Sequence, residues 1–275
     1  MKRILVTGGT GLLGVEVLNA LLAKGSYEIF AMTRQISPRW AAAFSHRVGI
    51  LKGDLIEPAS LTAALATSKP EAIIHCAAWV DLDGCEQEPA KAERIHIDAT
   101  TGLAGAGARM IYVSTDSVFD DSKLDYDEQD QPAPLNQYAL TKLAGENVVL
   151  AAAPHSVAVR TNLYGWHTLD FVKPSIIEWA NRSLREGRTI NGFSDCWFNP
   201  LYSRQLARAL VGLVDREDIQ GLLHLGSDEP ITKFEFLVRF ARKMGLDAEK
   251  ILPGKMADFK RAAHRPARTV LRMDR

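Results

Sequence analysis

The sequence predicts an α/β protein built on a doubly wound parallel sheet, with a smaller C-terminal lobe. Short apolar runs alternate with longer segments of helical periodicity through the first 160 residues, which is the pattern of successive βαβ units. A glycine-rich turn at 8–14 separates the first apolar run from the first helical segment. The chain of 275 residues is long enough for one domain of ~150 residues and an attached lobe.

The apolar runs are predicted strands, and the periodic segments are predicted helices. Strands are predicted at residues 3–7, 28–33, 47–52, 72–76, 110–114, 156–160 and 222–225. Helices are predicted near residues 13–24, 60–66, 88–106, 135–151, 174–186, 203–214 and 233–244. The first six strands are almost continuously apolar, which is typical of a parallel sheet covered by helices on both faces.

Composition excludes several classes of protein. Lys+Arg and Asp+Glu both number 33, whereas a dedicated nucleic-acid binder usually carries a basic excess. Cys76, Cys85 and Cys196 form no C-x-x-C pair, and the histidines show no ligand spacing, so we predict neither a disulfide framework nor a metal site. The apolar start at 4–6 is far too short for a signal or membrane segment. We therefore expect a cytoplasmic protein with no nucleic-acid or membrane partner.

The glycine turn after the first strand is typical of a dinucleotide site. Its glycines allow a tight turn, a close approach of the backbone to a pyrophosphate, and close packing of helix on strand. The phosphates would then lie on the helix N-terminus, whose free N–H groups attract anions. The turn therefore predicts a Rossmann-type domain. The residues expected to hold the cofactor there are Gly8, Thr10, Gly11, Leu12, Leu13 and Gly14.

The end of the second strand favours NADP(H) over NAD(H). NAD binders usually place an acid there to accept a hydrogen bond from the ribose 2′-hydroxyl, but this segment contains none. Arg34 can instead pair with a 2′-phosphate, with Thr33 assisting through its hydroxyl. We therefore assign 1–160 and 201–225 to an NADP-binding Rossmann domain, and 161–200 and 226–275 to a substrate-binding lobe.

Tyr138 and Lys142 are candidate acid–base residues because their spacing places both on one face of a predicted helix. An ammonium beside a phenol favours the phenolate, so we expect Lys142 to lower the pKa of Tyr138. Taken alone, this spacing is more often that of an ordinary amphipathic helix. Thr115 ends the preceding strand, where doubly wound sheets bind ligands, and we expect it to hydrogen-bond a substrate carbonyl beside Tyr138.

Taken together, these motifs resemble the extended short-chain dehydrogenase/reductase superfamily and, within it, the dTDP-4-dehydrorhamnose reductase family. The resemblance covers nearly the whole chain. Besides the glycine turn, the segments that carry it are 53–55, 75–81, 114–120, 134–146, 159–161 and 265–266.

The resemblance implies an NADP-dependent oxidoreductase of nucleotide-sugar metabolism that reduces a nucleotide-linked 4-keto-6-deoxy sugar. Thr115, Tyr138 and Lys142 would match the catalytic Ser/Thr, Tyr and Lys. Tyr138 would protonate the carbonyl oxygen as hydride arrives from C4 of the nicotinamide, and Lys142 would bind the nicotinamide ribose. Further cofactor contacts would come from Asp54, Leu55, Ala77 and Ala78. The residues expected on the substrate side are Trp79, Asp81, Asp116, Ser117, Asn162, Trp197 and Arg265.

The sequence departs from the family at three places on the substrate side. Asp120-Asp121 replaces the usual Asp-Gly, and 162–165 reads Asn-Leu-Tyr-Gly, as in epimerases of the wider superfamily, where the reductases have Ser-Trp. The segment 198–202 lacks their usual Pro-Thr. The acid-rich segment 120–130 is expected to be a solvated loop or a mobile flap. The basic tail is expected to be solvated or to contact a diphosphate through Arg265 or Lys260.

Three alternative functions stay open to different degrees. A 4,6-dehydratase needs a glutamate where Ser117 stands. A sugar-nucleotide epimerase, which retains NAD, is favoured by segment 162–165 and disfavoured by Arg34. A non-catalytic regulatory subunit resembling the beta subunit of methionine adenosyltransferase would act by binding its partner, but the intact Thr, Tyr and Lys favour an enzyme. The expected ligand is a sugar nucleotide, and assembly as a homodimer is left open.

Overall fold

The computed structural model describes residues 1–153, 155–169 and 173–274. Its strands are β1 (Lys2–Thr7), β2 (Tyr27–Thr33), β3 (Gly49–Lys52), β4 (Ala72–His75), β5 (Arg109–Val113), β6 (Val157–Thr161), β7 (Leu163–Tyr164), β8 (Ile190–Phe193), β9 (Trp197–Phe198), β10 (Leu201–Tyr202), β11 (Gly221–Leu225), β12 (Ile231–Thr232) and β13 (Ile251–Gly254). Its α-helices are α1 (Leu12–Lys24), α2 (Pro38–Phe44), α3 (Pro58–Ser68), α4 (Leu82–Gln87), α5 (Pro89–Glu93), α6 (Ala99–Ala104), α7 (Gln137–Ala152), α8 (Ile176–Arg185), α9 (Ser203–Leu213) and α10 (Lys233–Lys243). Within the described residues, no helix is long and apolar enough to cross a membrane.

Seven of the described strands form one parallel sheet in the order β11-β6-β5-β4-β1-β2-β3. This confirms the predicted doubly wound fold, and each predicted strand is present with its ends shifted by at most two residues. The strand order reverses between β1 and β4, so the loops after these two strands diverge and leave a crevice. The site lies at this crevice.

Side chains alternate across the sheet and build a hydrophobic core on each face. Ile4 and Val6 of β1 pack in the core that contains α1 and α9, whereas Leu5 packs in the core that contains α3, α6 and α7. All three are fully buried. This alternation explains why the strand is apolar at successive positions, because both of its faces are covered.

The predicted helix at 88–106 is interrupted. It consists of α5, a π-helical turn at Arg94–Asp98 and α6. Helix α2 was not predicted, although Ser37 caps it by accepting from the Trp40 N–H at 3.2 Å and Pro38 occupies its first turn. A serine followed by proline is a recognised helix start, so this signal was available in the sequence.

A third core belongs to the C-terminal part of the chain. Helices α8 and α10 pack with β8 and β13 around a cluster that includes Leu184, Ile190, Leu237 and Ile251. Both helices begin with a capping box, formed by Ser175 with Glu178 and by Thr232 with Glu235. This core is separate from the two cores of the large sheet. The exact division of the chain into two domains remains a prediction.

The acid-rich segment and the C-terminal tail are packed against each other. The Tyr126 side chain is buried and stacks on Phe119 with ring centroids 4.0 Å apart. The backbone of Tyr126 exchanges hydrogen bonds with Val270 and Arg272 of the tail. Residues 121–125 are exposed, as expected for a solvated loop, but Tyr126 anchors the segment to the tail, whose residues 269–271 are buried.

Candidate functional site

A cavity of about 610 Å³ extends from the glycine turn to the C-terminal lobe, along the carboxyl ends of β1, β4, β5 and β6. It brings together thirteen of the predicted site residues: Gly8, Gly11, Leu12, Leu13, Gly14, Ala78, Thr115, Asp116, Ser117, Tyr138, Lys142, Asn162 and Arg265. The predicted residues outside its described lining are Thr10, Thr33, Arg34, Asp54, Leu55, Ala77, Trp79, Asp81 and Trp197. Among the residues described, no cluster of three His, Cys, Asp or Glu side chains could hold a metal ion.

The glycine turn has the shape of a phosphate cradle. Gly8 has a φ of +71°, and a Cβ at this position would lie 2.8 Å from the Ala77 backbone nitrogen. A Cβ at Gly14 would lie 2.1 Å from the Gly8 carbonyl oxygen. Helix α1 begins after Gly11, which has no side chain to cap the helix. The first N–H groups of α1, beside the cavity, are therefore left without a side-chain acceptor. These features fit a dinucleotide pyrophosphate.

Trp40 supports the outer side of this turn and was not identified from the sequence. Its indole N–H donates to the Gly9 carbonyl oxygen at 2.9 Å, and its side chain is buried. The ring also packs against Phe44, with centroids 5.0 Å apart. Helix α2 therefore holds the turn by a side-chain hydrogen bond from outside the glycine motif.

The residues predicted for the adenosine end lie together at the ends of β2 and β3. Thr33 is buried, and its hydroxyl has no hydrogen-bond partner among the described residues. The Arg34 side chain is 73% exposed, and its guanidinium lies 4.0 Å from the Asp54 carboxylate. An exposed arginine and a buried hydroxyl without a partner are compatible with a 2′-phosphate at this position.

Thr115 and Tyr138 meet at the centre of the cavity. Thr115 follows β5, where its hydroxyl accepts from the Ser117 N–H at 3.1 Å, and it also hydrogen-bonds the Tyr138 side chain. Asn136 caps helix α7 by accepting from the Ala139 N–H at 2.9 Å, which sets Tyr138 in the first turn. The predicted proximity of this hydroxyl and phenol is present in the structure.

Lys142 lies one turn further along α7 and is buried. Its amine donates to the Val113 carbonyl oxygen at 2.8 Å and lies 3.9 Å from the centre of the Tyr112 ring. Burial lowers the pKa of Lys142 to about 7, although Glu146 and Cys76 act in the opposite direction. This lysine therefore changes protonation state near neutral pH.

The expected lowering of the Tyr138 pKa is wrong for this structure. Burial raises the pKa of Tyr138, and only the hydrogen bond with Thr115 opposes this effect. Spacing on a helix correctly placed Lys142 on the same face, but its amine is bonded to the backbone of β5. The phenol is consequently held in its protonated form, which is the form that can donate a proton.

A buried ion pair lies beneath Lys142. Glu146 accepts from the Arg160 guanidinium at 2.8 and 3.1 Å, and both side chains are at most 3% exposed. Ser114 also donates to the Glu146 carboxylate. The motif containing these residues was noted in the sequence, but their pairing was not, because 14 residues and a change from helix to strand separate them. The pair anchors α7 to β5 and β6.

His96 is a second functional neighbour that sequence reasoning missed. Its Nε2 accepts from the Trp79 N–H at 2.9 Å, so Nδ1 carries the hydrogen and donates to the Thr141 hydroxyl at 2.8 Å. Burial lowers the pKa of His96 to about 3, which keeps the ring neutral. The π-helical turn directs His96 to this position, and such turns often occur at functional sites. His96 thus joins the loop after β4 to helix α7.

Asp116 lines the cavity but its carboxylate is already hydrogen-bonded. It accepts from the Thr269 hydroxyl at 2.6 Å and the Asn162 amide at 2.8 Å. The hydroxyls of Thr115 and Ser117 lie at 3.2 and 3.3 Å. Burial nevertheless raises the pKa of Asp116. This carboxylate connects the end of β5 to segment 162–165 and to the tail.

The remaining predicted substrate residues lie around the rim. Trp79 is half-buried beneath the Lys91 amine, which is 4.2 Å from its ring centre. Asp81 pairs with Lys173 at 3.8 Å. Trp197 belongs to β9 and pairs with β12, outside the main cavity.

A second cavity of about 530 Å³ adjoins the first within the lobe. Lys233 and Arg265 line both cavities. The other residues of the second lining include aromatic and cationic side chains, namely Trp179, Arg188, Phe193, Phe259 and Arg261. Sequence reasoning placed aromatic residues in this lobe but identified only Arg265 among the cations. Lys260 lines neither cavity as described.

Gly14→Ala tests the fit of the glycine turn. We expect loss of most NADPH affinity, at least tenfold, because the added methyl displaces the Gly8 carbonyl from the cradle. NADPH binding followed by fluorescence measures this change. Gly212→Ala is the matched control, since a Cβ there meets nothing within 4 Å. Unchanged affinity in Gly14→Ala would contradict the proposed cradle.

Lys142→Met tests the cost of burying the amine. The pKa of about 7 in the folded protein lies below the unfolded value near 10.4, so this group makes stability rise with pH between those values. We expect the free energy of unfolding of the variant to lack this rise with pH. Near pH 7 the variant should be more stable than wild type by on the order of 1–3 kcal/mol. Urea unfolding from pH 6 to pH 10 measures it, with Lys243→Met as the exposed control. An equal pH slope in both variants would disprove the assignment.

Comparison with known proteins identifies relatives along the whole chain. The family model described as RmlD substrate binding domain matches residues 1–275. A dTDP-4-dehydrorhamnose reductase from Mycobacterium tuberculosis is 30% identical over 280 residues, covering 98% of this chain and 84% of that protein. Methionine adenosyltransferase 2 subunit beta from Danio rerio is 28% identical, covering 100% of this chain and 84% of that protein.

A solved structure has the same fold. The dTDP-4-dehydrorhamnose reductase from Bacillus anthracis in complex with NADP superposes with a TM-score of 0.81 at 24% identity, covering 100% of this chain and 92% of that chain. The overall fold is therefore that of a known architecture. The chain belongs to the RmlD substrate binding domain family, as its resemblance to dTDP-4-dehydrorhamnose reductases predicted.

Proposed function

We propose that this protein is an NADPH-dependent reductase of a nucleotide-linked 4-keto-6-deoxy sugar. The observation that carries the proposal is that Thr115, Tyr138 and Lys142 line one cavity with the glycine turn. A phenol, a hydroxyl and an amine are thereby placed beside a cradle suited to a dinucleotide. The relative from Mycobacterium tuberculosis, named a dTDP-4-dehydrorhamnose reductase, supports the same reaction class.

Tyr138 is the proposed proton donor. When bound, NADPH would supply the hydride for the carbonyl carbon, and the carbonyl oxygen would require a proton from the protein. The raised pKa of Tyr138 keeps its phenol protonated before the reaction. Thr115, which hydrogen-bonds Tyr138, is positioned to donate to the same oxygen and hold the carbonyl against the phenol.

Lys142 has two proposed roles. Its amine is one helical turn from Tyr138, and as an ammonium it would stabilise the phenolate left after proton transfer. The pKa of about 7 also lets it return a proton at neutral pH. The second role is to bind the ribose hydroxyls of the nicotinamide half, with Ala77 and Ala78 along the neighbouring loop.

NADP(H) is the proposed cofactor. The exposed guanidinium of Arg34 and the unpartnered hydroxyl of Thr33 favour a 2′-phosphate. The superposed Bacillus anthracis structure was solved in complex with NADP, which supports this choice. Asp54 and Leu55 are proposed to border the adenine, since both follow β3 and are half-buried.

The two adjoining cavities suggest how a sugar nucleotide is accommodated. The sugar would occupy the first cavity beside Tyr138, and the nucleoside would occupy the second among aromatic side chains that can stack on a base. Arg265, shared by both cavities, is held by Asp83 at 3.3 Å. The lobe at 161–200 and 226–275 would therefore bind the nucleotide half of the substrate.

A regulatory role is the second candidate, because the Danio rerio relative is a methionine adenosyltransferase subunit. A protein of that kind would bind a partner without requiring turnover. The complete Thr, Tyr and Lys arrangement favours the reductase. An epimerase would retain NAD and show no net consumption of reduced cofactor.

The decisive experiment first titrates the protein with NADPH and with NADH to compare their affinities. Nucleotide-linked 4-keto sugars are then added one at a time, and the absorbance of NADPH is followed to detect its consumption. Tight NADPH binding and its consumption with one sugar would establish the reductase. Preferential NADH binding without consumption would favour the epimerase. Binding without turnover, together with co-purification of a larger enzyme, would favour the regulatory subunit.

Tyr138→Phe removes the proposed proton donor while keeping the ring. We expect turnover to fall by about 10²–10⁴-fold, the usual contribution of a positioned acid, with NADPH affinity nearly unchanged. Steady-state kinetics and fluorescence titration measure the two quantities separately. Tyr202→Phe, a tyrosine outside the described lining, serves as the control. Near-full activity of Tyr138→Phe would rule out the mechanism.

Arg34→Asp tests the proposed cofactor preference. We expect NADPH affinity to fall by at least tenfold, since a carboxylate would repel the 2′-phosphate. NADH affinity should change little, because NADH lacks that group. The ratio of the two dissociation constants is the measurement, and an unchanged ratio would exclude Arg34 from 2′-phosphate binding.

A further inference from the structure

We propose that Lys233 binds the diphosphate of the sugar-nucleotide substrate and sets the preference for a nucleoside diphosphate over a monophosphate. This inference rests on the proposed function. None of the family motifs noted above includes Lys233, which lies 118 positions after Thr115 in the sequence. Its assignment comes from its place at the junction of the two cavities, both of which it lines.

The backbone and side chain of Lys233 are held at this junction. It is the first residue of α10, after the Thr232 cap, and its N–H donates to the Cys196 carbonyl oxygen at 2.9 Å. The Lys233 charge opposes the rise that burial causes in the pKa of the Cys196 thiol, so the two side chains are neighbours. The Lys233 amine also lies 5.7 Å from the centre of the Phe198 ring. These contacts place the amine beside the opening between the cavities.

Lys233 forms no ion pair among the described residues. A cation in the first turn of a helix lies at the positive end of the helix dipole, which is unfavourable. The Glu235 carboxylate of the same turn is bound by the Thr232 N–H and hydroxyl. No carboxylate among residues 1–153, 155–169 and 173–274 forms an ion pair with Lys233 at 4.0 Å or less.

Other cations face the same junction and add to the positive potential. Arg265 lines both cavities, and Arg261 lines the second. The pKa of Arg261 is lowered, first by burial and then by the neighbouring Arg265 charge. Asp116 attracts Lys233 electrostatically without forming an ion pair with it. The oxygens of Asp116 already accept the hydrogen bonds described above. A bound anion would relieve this mutual repulsion.

The proposed substrate places its anionic group at the junction. With the sugar carbonyl at Tyr138 in the first cavity and the nucleoside in the second, the diphosphate must pass between them. A nucleoside diphosphate carries more negative charge at this point than a monophosphate. Lys233 therefore contributes most to ligands that retain the second phosphate.

The test compares Lys233→Met with wild type, Lys233→Arg and Lys243→Met. Lys243 lies exposed at the other end of α10 and controls for loss of a lysine from this helix. Affinities for dTDP, UDP, GDP, CDP and ADP, and for their monophosphates, are measured by calorimetry with the NADPH-loaded protein. We expect Lys233→Met to weaken the best nucleoside diphosphate by about 10–100-fold and its monophosphate much less. Lys233→Arg should recover much of the affinity, and NADPH binding should not change.

The outcomes separate the two proposals. If wild type binds none of the nucleotides and reduces no keto sugar, the proposed function fails. If wild type binds a nucleoside diphosphate and Lys233→Met keeps the same affinity and the same diphosphate-to-monophosphate ratio, the role of Lys233 is overturned while the proposed function stands. An equal loss for diphosphate, monophosphate and NADPH would show a structural effect and would also overturn the role.

Discussion

The burial of the Lys142 amine is the constraint on which the rest of the site depends. Burial disfavours an ammonium, and this amine has to reach the Val113 carbonyl to be hydrogen-bonded. Helix α7 must therefore pack close to β5. Gly145 permits the approach, because a Cβ there would lie 2.4 Å from the Tyr112 hydroxyl oxygen and 2.8 Å from the His96 carbonyl oxygen. The position of Tyr138, one turn away, follows from this packing.

Two buried polar arrangements hold the helix in that position. On one side, Glu146 and Arg160 neutralise each other, so neither charge is left uncompensated in the interior. On the other side, His96 uses one ring nitrogen as acceptor and the other as donor, and its low pKa avoids a second cation near Lys142. Both arrangements connect elements that are distant in sequence. They hold Tyr138 and Lys142, the proposed catalytic side chains, in fixed positions.

The features predictable from the sequence were those encoded by neighbouring residues. The glycine turn and the Tyr138–Lys142 spacing are local, and the structure contains both where they were predicted. The partners of His96 and Glu146 were missed because they lie on other elements, and the π-helical turn does not follow the normal helical period. The pKa of Tyr138 was misjudged because spacing indicates which residues are neighbours on a helix and does not indicate burial. Lys233 carried a local signal, a lysine in a capped first turn, whose meaning depends on the cavities around it.

Two segments that depart from the reductase pattern, 162–165 and 198–202, make hydrogen bonds near the C-terminal tail. Asn162 binds Asp116, and Asn199 both donates to and accepts from the Leu271 backbone, at 2.8 and 3.0 Å. These residues thus fasten segment 162–165, β9 and the tail over the end of β5. They vary the way the lobe is attached, whereas the Tyr138 and Lys142 positions depend on α7 and β5. Asp116 joins the two sets of contacts, because it binds Asn162 and Thr269 and also lies 3.2 Å from the Thr115 hydroxyl. Under the proposed function, the cations and aromatic side chains of the second cavity would select the nucleotide half of the substrate.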